Sequence, residues 1–164
     1  MDSKNFLVVG GSSGIGLEIT RMLREKDNTV YVGSRSKEAL AQLDGLHHLT
    51  VDVQAAALNF EGLPDALNGI VYCPGTIRLK PFHRLTIDDF LKDWQVNFLG
   101  AVKTIQACLP HLKKSTTGAA IVLFSTVAVQ TGMPFHASVA GAKAAVEGLT
   151  RSLAAEFAPR IRVN

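Results

Sequence analysis

Long apolar runs are missing from this chain. The longest unbroken one, Ala119 to Phe124, falls far short of the roughly 20 residues that a bilayer span demands, so no transmembrane helix is expected. The start, an acidic Asp2 ahead of a short apolar stretch running into glycines, lacks the regions of a secretory signal. Cysteine is scarce. Cys73 and Cys108 stand far apart, with neither metal-ligand spacing nor a disulfide framework; no metal is expected, and the natural setting is a reducing compartment, the cytoplasm. Charge of one sign is lacking too: 17 Lys and Arg against 14 Asp and Glu leave +3. That excess is dispersed, so neither nucleic acid nor a membrane surface is expected as a partner. What is present is a globular balance of 47% apolar and 19% charged residues in 164, the size of one domain, 1–164, without a disordered tail.

Several short apolar runs read as buried strands: Phe6–Val9, Thr29–Val32, Leu49–Val53, Ile70–Tyr72 and Ala119–Phe124. They are unbroken rather than alternating, as parallel strands covered on both faces should be. Helical periodicity lies between them: Ile15, Ile19, Met22 and Leu23, then Lys37 to Leu43, then a long segment from Thr86 to about Lys113, and another from about His136 to Phe157. In the third, Phe90, Trp94, Phe98, Val102 and Ile105 share one side. Strand-then-helix order implies right-handed parallel crossovers, hence an α/β fold with a doubly wound sheet. Ligands of such sheets bind beyond the carboxyl ends of the strands.

The first strand runs directly into Gly10-Gly11-Ser12-Ser13-Gly14-Ile15-Gly16 and a helix. Glycines there let the chain turn sharply and let a phosphate approach the backbone, while the helix start offers unpaired N–H groups and a positive dipole end. One glycine would mark only a tight turn; four in so short a stretch point to a dinucleotide pyrophosphate. The spacing is not G-x-G-x-x-G. It resembles the T-G-x-x-x-G-x-G loop of the short-chain dehydrogenase/reductase family, with Gly11, Gly14 and Gly16 read onto the pattern and Gly10 in the threonine's place. The likeness runs from Phe6 to Asn164 and implies a three-layer αβα Rossmann fold.

Further landmarks follow in order. Ser34 stands after the second strand where an NAD-type member carries an acid, and Arg35 follows. A guanidinium pairs well with a 2′-phosphate, so NADP(H) is expected in preference to NAD(H); a solvated surface arginine is the alternative. Asp52-Val53 resembles the pair placed against adenine, although a lone Asp at a strand exit also suits a helix cap. Cys73-Pro74-Gly75 stands where the family has the last three residues of N-N-A-G, and only the glycine matches. Cys73 has no neighbour in sequence that would activate its thiol.

The family's catalytic tetrad is Asn, Ser, Tyr and Lys. Asn97 in Val96-Asn97-Phe98-Leu99-Gly100 matches the asparagine, and Lys143 the lysine of Y-x-x-x-K, which also holds the nicotinamide ribose. The tyrosine position is Val139, and valine donates no proton. Thirteen residues earlier the serine position holds Thr126, with Ser125 beside it; a hydroxyl there can bond a developing oxyanion. His136 precedes Lys143 by seven residues, which on a helix is the same face two turns back. Divergent enoyl-acyl carrier protein reductases of the family carry a tyrosine at that offset. Histidine is a competent acid near neutrality; a solvent-exposed histidine at a helix start is the other reading.

The last residues, Ile161-Arg162-Val163-Asn164, resemble the opening of the family's sixth strand, after which its members continue into a substrate-covering loop. The resemblance therefore implies an NADP(H)-dependent oxidoreductase acting on a small carbonyl, alcohol or enoyl substrate, its fold cut off at the sixth strand, and a homodimer or homotetramer built through the two long helices. A catalytically impaired NADP(H)-binding sensor or partner subunit is the alternative, and an unstable remnant that binds nothing the third.

Overall fold

The computed structural model describes residues 3–41 and 43–164; Met1, Asp2 and Gln42, the last inside the second helical segment, lie outside them. Six strands, β1 (Asn5–Val9), β2 (Thr29–Ser34), β3 (Leu46–Thr50), β4 (Gly69–Tyr72), β5 (Ala119–Leu123) and β6 (Ile161–Val163), form one sheet in the order β3-β2-β1-β4-β5-β6. Every pairing is parallel. The order reverses between β1 and β4, the switch point at which such sheets open a crevice.

Alternate side chains of the strands feed two cores. Leu7, Val9, Tyr31, Ile70, Tyr72 and Ile121 face α3 (Gly100–Lys113) and α5 (Ala137–Phe157), meeting Ile105, Cys108, Leu112, Leu149 and Leu153. Val8, Val30, Val32 and Val71 face the other way, against Leu17, Ile19 and Leu23 of α1 (Gly14–Arg24) and Leu40. The sheet is thus the middle of three layers, and its central strands are apolar on both faces because both are covered.

Four elements depart from the periodicity. The third strand runs over Leu46–Thr50, not Leu49–Val53, because Leu46 pairs with Val30 and Thr50 with Ser34. His47 stacks on Tyr31 with ring centroids 4.7 Å apart, an edge-strand arrangement that an apolar-run criterion misses. The second helical segment shrinks to a single 3₁₀ turn, Glu38–Leu40. No helix bridges β3 and β4; residues 51–68 cross as irregular chain, with Phe60 and Leu67 plugged into the core beside α3. A short helix, α4 (Ala128–Thr131), also follows β5.

The long third segment is α2 (Ile87–Trp94), a π-helical stretch Gln95–Leu99, and α3, end to end. Thr86 starts it with a capping box: its hydroxyl accepts from Asp89 N while the Asp89 carboxylate accepts from Thr86 N, which satisfies two otherwise orphaned donors. The apolar stripe splits. Ile105 is in the core, whereas Phe90, Phe98 and Val102 are half-buried and Trp94 is exposed, its ring 4.5 Å from Phe98. The buried face is instead Asp93, Val96, Asn97, Gly100, Ala101 and Thr104.

Candidate functional site

A cleft of about 400 Å³ lies at the carboxyl ends of β1, β2 and β4. The glycine loop forms its floor. Gly10 turns with φ 76°, where Pro74 packs against it, and a side chain on Gly16 would run into the Gly10 carbonyl oxygen. The spacing of three residues between the first two glycines of the pattern therefore falls on Gly10, Gly14 and Gly16, with Val9 at the threonine position, not on Gly11. Gly11 lies beneath: a Cβ there would stand 2.8 Å from both Thr20 Oγ1 and Val32 Cγ1, so it brings helix and strand together without lining the cleft. The α1 N-cap, Ser13, makes no side-chain cap bond, which leaves the first N–H groups of the helix for an anion.

Gly10, Ser12, Ser13, Gly14, Ile15, Gly16, Ser34, Arg35, Asp52, Val53, Cys73, Pro74 and Gly75 all line this cleft. So do Val9, Gly33, Val51, Gln54, Thr76 and Val96, which the motifs do not single out; all six stand next in the chain to a motif residue, and that adjacency is their only signal in the sequence. At the β2 end, Arg35 is exposed, while Ser34 is buried with its hydroxyl donating to Ser36 O at 2.6 Å and meeting His48 Nε2 at 3.0 Å. Asp52 does not cap a helix, since none follows; its Oδ1 accepts from Gln54 N at 2.9 Å. Where the family has its first asparagine, the Tyr72 hydroxyl donates to Val96 O at 2.6 Å, so a phenol makes a bond across to the π-helical stretch. Burial pushes the Cys73 thiol up to about 11, against the pull of the nearby Lys143 cation, and the thiol is inert at neutral pH.

The catalytic candidates lie beside the cleft rather than in its lining. A Cβ on Gly75 would be 3.1 Å from Asn97 Oδ1 and 3.8 Å from Lys143 Nζ, so these two side chains converge at the exit of β4. Lys143 Nζ donates to Phe124 O at 2.8 Å, and burial lowers its pKa while the neighbouring Cys73 opposes the shift. The Asn97 amide is engaged: Nδ2 donates to Asp93 O at 2.9 Å and Thr76 O at 3.0 Å. Thr126 Oγ1 accepts from Ala128 N at 3.3 Å, at the start of α4, which leaves its proton to donate. Ser125 turns away to Glu147 Oε1 at 2.6 Å. Val139 is buried on α5 one turn before Lys143. His136 is not inside the helix; it is the N-cap of α5, with φ −98° and ψ 9°. Its Nδ1 lies 2.7 Å from Pro134 O, an acceptor, so Nδ1 carries a proton and Nε2 is left for another partner.

Among the described residues, no group of His, Cys, Asp and Glu is placed to hold a metal ion, and no helix is long and apolar enough to cross a membrane.

The short chain dehydrogenase family profile matches residues 4–164. Among curated proteins, the chain is similar to the hydroxynaphthalene reductase arp2 of Aspergillus fumigatus, 28% identical over 96% of this chain and 62% of that protein. It is also similar to carbonyl reductase family member 4 of Danio rerio, 31% identical over 99% of this chain and 73% of that one. The chain thus spans less than two thirds of the Aspergillus relative's length. Among solved structures, a short chain dehydrogenase from Shigella flexneri complexed with NADP superposes with TM-score 0.90 at 24% identity, over the whole of this chain and 76% of that one. The glycine loop at the sheet's switch point, the convergence of Asn97 and Lys143, and a profile match across nearly the entire sequence make this chain a member of the short-chain dehydrogenase/reductase family.

Proposed function

We propose that the chain binds NADP(H), in preference to NAD(H), and works as an oxidoreductase on a carbonyl, alcohol or enoyl substrate. The observation that carries this reading is one cleft with the glycine loop at its floor, Arg35 at one end, and Gly75 with its neighbours Asn97 and Lys143 at the other. The backbone of Gly10–Gly16 and the start of α1 hold the pyrophosphate, Arg35 the 2′-phosphate, Asp52 and Val53 the adenine, and Lys143 the nicotinamide ribose. When bound, the nicotinamide supplies or takes up a hydride. The Thr126 hydroxyl bonds the substrate oxygen, and the proton comes from His136 Nε2 or water, since Val139 has none to give. The free Cys73 and Cys108 fit a reducing compartment such as the cytoplasm. A homodimer or homotetramer through the long helices accords with the exposed Leu91 and Trp94.

Calorimetric titration with NADPH and, separately, NADH tests the cofactor reading. NADPH should bind at least about tenfold more tightly, the size of one charge-assisted contact, and Arg35→Ala should remove most of that difference. Equal loss of both cofactors in the variant sinks the 2′-phosphate assignment. Binding without turnover on any carbonyl or enoyl probe would favour the sensor reading that Val139 raises.

A further inference from the structure

Asp93 stands one helical turn before Asn97, and its carboxylate is wholly buried. A buried carboxylate is tolerated only when its lone pairs are met. Here Oδ1 accepts from Thr76 Oγ1 at 2.7 Å and Arg78 Nη1 at 3.0 Å, and Oδ2 from Ser138 Oγ at 2.7 Å. The donors come from two different segments, the chain leaving β4 and the first turn of α5. The backbone carbonyl of Asp93 accepts from Asn97 Nδ2 at 2.9 Å, and the same amide donates to Thr76 O at 3.0 Å and Thr76 Oγ1 at 3.2 Å.

One residue therefore ties together three parts of the site: the cleft-lining Thr76, the Asn97 amide, and the start of the helix that carries Val139 and Lys143. An apolar side chain would fill the same space, but packing does not fix angles. Hydrogen bonds of defined direction from separate segments do.

We propose that Asp93 is a positioning residue: it sets where Asn97 and the first turn of α5 stand relative to the exit of β4, and so governs turnover without touching substrate or cofactor. The effect on turnover rests on the oxidoreductase reading; the effect on geometry does not.

Asp93→Asn keeps the shape while removing the charge and one acceptor. Three quantities are compared with the unchanged chain: exchange of the Asn97 side-chain amide protons by NMR, the NADPH dissociation constant by calorimetry, and kcat and KM for diacetyl as a carbonyl probe. We expect amide exchange faster by about tenfold or more, kcat down by about ten- to a hundredfold, the order that small misplacements of reacting groups produce, and NADPH affinity within about twofold. Unchanged exchange and kcat overturn the proposal, as do parallel losses of kcat and NADPH affinity, which report general loosening. Faster exchange with no diacetyl reduction even by the unchanged chain upholds the positioning role and counts against the oxidoreductase reading. Should Asp93→Asn fail to fold, Ser138→Ala cuts the α5 tether by removing the hydroxyl that donates to Asp93 Oδ2 at 2.7 Å and also to Asp89 O at 3.3 Å. It should lower kcat while NADPH binding holds, and Ser138→Thr, which keeps the hydroxyl, should restore it. Equal kcat in all three forms of position 138 also overturns the proposal.

Discussion

At position 139 a valine side chain, 4% exposed, fills the place one turn before Lys143 that family likeness gives to a phenol. A positioned general acid contributes a factor of roughly 10² to 10⁴, so Val139→Tyr should raise carbonyl reduction by up to about a hundredfold in steady-state assays. The larger ring must enter a packed site, so the same variant should lose about 1–3 kcal/mol of stability in denaturant unfolding. No gain from a folded variant would show that the site serves other chemistry. If His136 supplies the proton, His136→Ala lowers turnover by about a hundredfold while NADPH affinity holds; full turnover in the variant excludes His136. Gly14, Gly16, Asn97 and Lys143 are legible in the sequence because each sits at a fixed offset within a short motif, whereas the paired Gly10 and Gly11 draw the first glycine of the pattern onto Gly11. Asp93 is not. An acid four residues before Asn97 on an amphipathic helix reads as a solvated face, and only Thr76, Arg78 and Ser138, brought from distant segments, show why it is buried.

Among the elements, α2 depends on charge at its first turn. Asp89 closes the capping box and also accepts from Lys80 Nζ at 2.9 and 3.0 Å. The Lys80 ammonium, then the Thr86 N–H, hold its carboxyl at about 2, below the usual 3.8. Since the folded value is the lower one, the stabilisation is complete above the ordinary carboxylate range and is lost as pH falls towards about 2. Amide exchange at the start of α2 should therefore stay protected at about pH 3 and rise near pH 2, and Thr86→Ala, which costs about 1 kcal/mol at a cap, should bring fraying to higher pH. Protection that already fails at about pH 4 would contradict the pairing. The central strands were readable from their apolar runs because both faces are covered. The edge strand β3 escapes the apolar-run signal because His47 is exposed and His48 only half-buried, and the π-helical stretch carries no periodic signal that separates it from the α-helices it joins.

For the molecule as a whole, Ile87, Leu91 and Trp94 are 75%, 59% and 37% exposed along the outer side of α2, a line of apolar surface that a lone chain leaves wet. Sedimentation over a range of concentrations should show self-association, and replacing Leu91 and Trp94 together by Lys should weaken it by about tenfold or more, as loss of buried anchors does. A chain that stays monomeric at every concentration would remove that face as a self-interface. Strand order has a further effect, in time. β1 is the centre of the sheet, yet Phe6 is paired with Val30 on one side and Gly69 on the other. At roughly 5–20 residues per second of synthesis, the second partner is made about 3–13 s after the first strand. Throughout that interval Leu7, Val8 and Val9, almost wholly buried in the finished protein, have at most one neighbour. The strand that organises the finished sheet is thus the last of its early half to be shielded, and a nascent chain of this design is most exposed to mispairing before Tyr72 has been added.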